Sequence, residues 1–111
     1  MLIATRALLL RDNDIDHEVV IGVFAPVPDR DGGWSCTYEI GWPDRKRTMT
    51  AGGVDAMQTL LSALQMIGAE LYASDHHKVG RLRFEATGRG YGFPVPGNAR
   101  DLLEGDDAKY L

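Results

Sequence analysis

One stretch constrains the whole chain: Gly53 to Tyr72 holds the only long run of helical periodicity in the sequence. At about 100° per residue, Met57, Leu60, Leu61, Leu64, Ile67 and Leu71 fall within an arc of about 120°, wide enough to face a core. Gln58, Thr59, Ser62 and Gln65 share the other side, which carries no charge between Asp55 and Glu70. An open helix face usually carries Lys and Glu, so this one is expected to be partly covered by the C-terminal segment or by a second subunit. Asp55 and Gln58 stand at capping-box spacing, and Gly52-Gly53 frees the chain to turn into the helix. His76, His77 and Lys78 follow the last apolar turn, where donors suit the exposed carbonyls. Gly68 lies inside the apolar arc at a cost of about 1 kcal/mol against Ala, which predicts close approach to a strand beneath it.

The remainder reads as strands. Residues 2 to 10 form the first, because Arg11 to His17 is dense in turn formers and Glu18 to Ala25 is β-branched after it. Pro26 and Pro28 stop that ladder by removing donors. Trp34, Cys36, Tyr38 and Ile40 alternate with polar residues at period two. Arg45 to Ala51 returns as an exposed strand whose charges guard an edge. Strands of about eight residues span about 26 Å, close to the roughly 28 Å of the helix, so the helix can cover one face. Arg81 to Ala86 alternates again, with Leu82, Phe84 and Ala86 inward, as a fifth strand or an arm. Asn98 and Asp101 can cap a short helix through Glu104, ahead of an acidic tail expected to fray. The fold class is α+β: a four- or five-stranded antiparallel meander with one long helix across a face.

With 111 residues the chain suits one domain, 1–111, able to bury a core without staples. A formal charge of −4 weighs against nucleic acid, whose binders neutralise phosphate with Lys and Arg. Cys36 is the only cysteine, so no intrachain disulfide forms. The apolar run at residues 2 to 10 is broken by Arg6, has no cleavage site and is too short to span a bilayer. A cytoplasmic protein with no membrane partner is expected.

No reactive motif is complete, so no catalytic residue, metal or cofactor is assigned. Asp12, Asp14 and Asp16 open like a calcium loop, but His17 stands where Gly is needed and Val23 where a bidentate Glu is needed. Gly88, Gly90 and Gly92 match a dinucleotide loop only in glycine count, because Pro94 and Pro96 follow where a helix should begin. Cys36 sits on the inward set of its strand, as a small core residue would. The cluster Lys78, Arg81, Arg83 and Arg89 stands out in an acidic chain. Arg81 and Arg83 share a strand face able to grip a carboxylate or phosphate, or else a solvated face paired with Glu85 and the acidic tail.

Four elements together resemble a small bacterial family of unknown function. They are Ala4-Thr5-Arg6; Pro26 to Asp29 leading to Trp34, Cys36 and Tyr38-Glu39-Ile40; the helix from Gly53 to Tyr72; and Tyr91-Gly92-Phe93-Pro94. The resemblance implies bacterial origin and a compact α+β shape, and carries no activity or site. The leading expectation is a non-enzymatic binding or interaction protein of inhibitor or immunity type, with a protein partner or a homo-oligomer such as a homodimer. The alternative is an anionic small-molecule-binding protein or minor enzyme. Its pocket would lie between the helix end and the Gly88 to Gly97 loop, lined by Arg81, Arg83, His76 and Tyr91.

Overall fold

The computed structural model describes residues 1–85 and 89–111. β1 (Leu2–Asp12) and β2 (Ile15–Phe24) form a long hairpin. Its turn residues Asn13 and Asp14 have φ angles of 50° and 64°, the left-handed pair that Asn and Asp tolerate and that matches strand twist. β3 (Val27–Pro28), β4 (Trp34–Gly41) and β5 (Lys46–Gly53) follow. β5 runs along one whole edge of β4, so β2 and the two-residue β3 divide the other. The prolines therefore end β2 without ending the sheet, because Val27 and Pro28 still pair with Ser35 and Trp34 at an edge where a missing donor is tolerated.

The helix α1 (Ala56–Ala73) packs on β4 and β5. Beneath it lie Leu8, Leu10, Val19, Ile21, Cys36, Tyr38 and Ile40, each no more than 2% exposed. Cys36 is thus a core residue, its thiol donating to the Phe24 carbonyl at 3.2 Å while burial pushes its pKa up. Asp55 caps the helix by accepting from the Gln58 amide at 2.8 Å. Gln58 reaches back one residue further than a capping box requires, to the Val54 amide at 2.7 Å. At the other end Ser74 serves the carbonyl of Leu71. The histidines begin a separate short helix, α2 (Asp75–Lys78), and do not cap α1.

The buried stripe of α1 is rotated from the one that apolar counting predicts. Thr59, Ala63, Ile67, Gly68, Leu71 and Tyr72 are buried, whereas Met57 is 79% and Leu61 51% exposed. Small residues bring the helix close to the sheet, and Thr59 satisfies its hydroxyl by donating to the Asp55 carbonyl at 2.6 Å. A threonine so bonded within its own helix is free to be buried.

Beyond α2 the chain pairs with β1 through β6 (Leu82–Arg83), which places a strand next to Leu9 and Leu10. Among the described residues the sheet therefore has six strands, all antiparallel, in the order β6, β1, β2, β4, β5 with β3 beside β4. β6 is only two residues long, shorter than the alternation predicts, and Glu85 already has a φ of 60°. Ala86, assigned inward from the sequence, lies outside the described residues, as do Thr87 and Gly88 at the start of the glycine-rich loop. A 3₁₀ helix spans Gly97–Leu102 with no side-chain cap from Asn98, and α3 (Gly105–Tyr110) closes the chain.

The acidic tail is held, contrary to the frayed end expected of it. Asp107 in α3 is 2% exposed. Its carboxylate accepts from the amides of Tyr91 and Gly92, each at 2.8 Å, and from the Tyr72 hydroxyl at 2.7 Å. From the opposite side Arg6 donates to the carbonyls of Tyr91 and Gly92 at 3.1 and 3.0 Å, and its guanidinium lies 4.6 and 5.0 Å from the ring centroids of Phe84 and Phe93. The Tyr91-Gly92 backbone is thus clamped between a carboxylate and a guanidinium. Here the glycines have their reason. Gly90 and Gly92 take positive φ, 83° and 77°, and a Cβ would lie 2.7 Å from an Asp107 oxygen at Gly90 and 3.2 Å from Arg6 Cζ at Gly92.

Candidate ligand-binding cleft

The clamp holds Tyr91 over one side of α2, where a cleft of about 660 Å³ opens. Its size falls in the range that admits a small molecule. Tyr72, His77, Lys78, Arg83, Tyr91 and Glu104 line it. Ser74 accepts from the His77 amide at 3.2 Å and so starts α2 at the angle that turns this imidazole inward. The ring meets Tyr72 and Tyr91 edge-on, centroids 4.9 and 5.4 Å away.

His77 is held at both nitrogens. Nε2 lies 2.6 Å from a Glu104 carboxylate oxygen, and Nδ1 contacts the Tyr91 hydroxyl. Facing an obligate acceptor, Nε2 carries a proton, and Nδ1 is left to the Tyr91 hydroxyl, which also lies 3.5 Å from the Leu82 carbonyl. Tyr91, His77 and Glu104 therefore form one hydrogen-bonded line across the cleft. Burial pushes the Tyr91 phenol well above its usual range, with the Glu104 and Asp107 charges adding to it. Tyr72 is raised likewise by burial and by its bond to Asp107. Both phenols stay neutral donors at physiological pH, unsuited to act as phenolate nucleophiles.

The four residues that sequence places in one pocket do not all meet. Tyr91 and Arg83 line this cleft, whereas His76 and Arg81 line a hollow of about 130 Å³ beside Asp12 and Asp44. His76 instead faces Trp42, ring centroids 5.1 Å apart. Sequence reasoning missed His77, Glu104 and Tyr72, and the only signal for them was that adjacent histidines at a helix end must diverge. Among the described residues the basic cluster does not pair with Glu85. Arg83 holds Asp16 at 3.0 Å and Arg81 stands 3.7 Å from Asp12, both on the β1–β2 hairpin; Arg89 alone reaches the acidic tail, at Asp106.

Hydrogen bonds from Arg83 and then Arg11 hold the Asp16 carboxyl below its ordinary pKa. A depressed folded pKa means that the stabilisation is present above the unfolded value, near 3.9, and is lost as pH falls through the lower folded one. Asp16→Asn should therefore flatten the melting temperature against pH below about pH 4. Parallel wild-type and variant curves across that window would show that the pairing contributes nothing.

The family described as Domain of unknown function (DUF6968) matches residues 4–95. The chain belongs to this family. No curated protein matches it, and no solved structure does. The DUF6968 match takes in Arg6, Tyr72, His77 and Tyr91 and ends before Glu104 and Asp107. Among the described residues, no helix is long and apolar enough to cross a membrane.

Proposed function

We propose that this protein binds a small anionic ligand in the cleft beside α2. The observation that carries the reading is the convergence of Lys78, Arg83, His77 and Tyr91 on one concavity of about 660 Å³. Lys78, in no ion pair among the described residues, supplies positive charge at the rim and Arg83 adds to it from its pairing with Asp16, while the Tyr91 phenol and the His77 imidazole supply oriented polar groups against an aromatic wall. Of the two carboxylates that also line the cleft, Asp101 and Glu104, the latter is engaged by His77. Few, well-placed polar groups in a largely preformed hollow are what small-molecule recognition requires. The test is a thermal-shift panel of phosphate, citrate and other anionic metabolites. A ligand at about 100 times its dissociation constant adds about 2.7 kcal/mol to stability, and Lys78→Ala should remove that gain. A panel without effect, or a shift that survives Lys78→Ala, counts against the cleft.

A protein-binding role of inhibitor or immunity type in the bacterial cytoplasm is the second reading. It is favoured by Met57 and Leu61, 79% and 51% exposed at i, i+4 spacing in the first turns of α1, and by Val54, 74% exposed just ahead of the helix cap. Apolar residues left outside at helical spacing are a common groove-docking pattern. Sedimentation of the wild type beside Met57→Lys distinguishes a self-associating face from a solvated one.

A further inference from the structure

The other side of α2 opens a second cleft, of about 510 Å³, which the function proposed above does not use. Its floor is Glu70, whose carboxylate takes the Tyr38 hydroxyl on one oxygen and Arg47 Nε on the other. Tyr38 is fully buried, so this floor is fixed to the core. Anchored through Nε, Arg47 presents its two Nη groups, which have no side-chain or backbone partner among the described residues. A guanidinium already immobilised along one edge forfeits less entropy when a carboxylate forks onto the other.

The wall is aromatic: Trp42 and His76 lie 5.1 Å apart with their planes tilted by 34°. Arg45, Asp44 and Asp75 also line it, beside Ala73 and Ser74, and none of the three charged residues makes an ion pair among the described residues. The cleft therefore displays spare charge of both signs beside a pair of aromatic rings. A plain anion would meet Asp44 and Asp75, and a plain cation would meet Arg45 and Arg47. A neutral aromatic would satisfy neither set. A zwitterion with an aromatic side chain answers all three, its carboxylate on the arginines, its ammonium on the aspartates and its ring against Trp42 and His76.

We propose that this cleft is a binding site for a free aromatic α-amino acid. The probe is L-phenylalanine, titrated into the full chain while the Trp42 indole N–H is followed by NMR, assigned with Trp42→Phe. Phenylacetate lacks the ammonium and phenethylamine lacks the carboxylate. L-phenylalanine should give a saturable shift, and each truncated probe should bind at least about tenfold more weakly. Arg45→Ala and Asp44→Ala alter exposed side chains that the fold does not use, and each should weaken L-phenylalanine by a similar factor. Lys78→Ala, in the other cleft, should leave it unchanged, which separates this site from the anion site. No saturable shift, equal binding of phenylacetate, or indifference to both Arg45→Ala and Asp44→Ala would overturn the proposal.

Discussion

Asp107→Ala is expected to cost about 3–4 kcal/mol, because it strands the Tyr91 amide and the Tyr72 hydroxyl in a buried site and leaves the half-covered Gly92 amide without its acceptor. For a domain of this size that is a fall in melting temperature of about 12–20 °C. Asp107→Asn should lose less, since one oxygen still accepts, yet its amide would point at a donor. Tyr72→Phe removes a single donor from the carboxylate and the acceptor that the Glu104 amide uses at 3.3 Å, so about 1 kcal/mol is expected. The order Ala, Asn, Phe is the informative result. Hydrogen exchange supplies the local readout: in Asp107→Ala the Tyr91 and Gly92 amides should lose protection before the β1–β2 amides do. A variant melting within a few degrees of wild type would mean that the clamp is closed by packing and not by the carboxylate.

This clamp also marks where sequence stops being legible. The hairpin at Asn13-Asp14 and the alternation through Cys36, Tyr38 and Ile40 depend on neighbours in the chain, so local pattern exposes them. Asp107 bonds residues fifteen and more positions away, and nothing near it in sequence distinguishes a buried carboxylate from a solvated one. Read by composition, Gly105-Asp106-Asp107 is a fraying tail. The same cause separates His76 from His77. Their environments are set by Trp42 on one side and by Tyr91 and Glu104 on the other, contacts that no spacing rule encodes. In α1 the error is one of phase: an apolar count gives the side of Met57 and Leu61 to the core, but shape outweighs hydrophobicity where Thr59 and Ala63 allow a closer approach.

Gly68 yields the other large effect, and here two opposed terms can be weighed. In an open helix Gly→Ala gains about 1 kcal/mol from backbone entropy. At this position a Cβ would penetrate the Pro94 carbonyl oxygen and stand 2.9 Å from its carbon and 3.3 Å from Val95 Cγ1. The obstacle is backbone, pinned upstream by Arg6 and Asp107 at Tyr91 and Gly92, so it cannot swing aside as a side chain would. Sequence reading anticipates a close approach at Gly68 but assigns it to a strand; the partner is the crossing segment that carries Phe93 and Val95 into the core. Forced overpacking of this kind costs about 1–3 kcal/mol, occasionally more. An overlap this deep with fixed backbone belongs at the upper end of that range, so with the helix gain of about 1 kcal/mol subtracted Gly68→Ala should be destabilised by about 2 kcal/mol net, a drop of about 8–10 °C. Its far-UV helical signal should persist while the near-UV signal from Tyr72 and Tyr91 weakens, because the crossing segment lifts before α1 unwinds. A Gly68→Ala protein as stable as wild type would show that the segment yields freely, and the rigid clamp on Tyr91 and Gly92 would have to be given up with it.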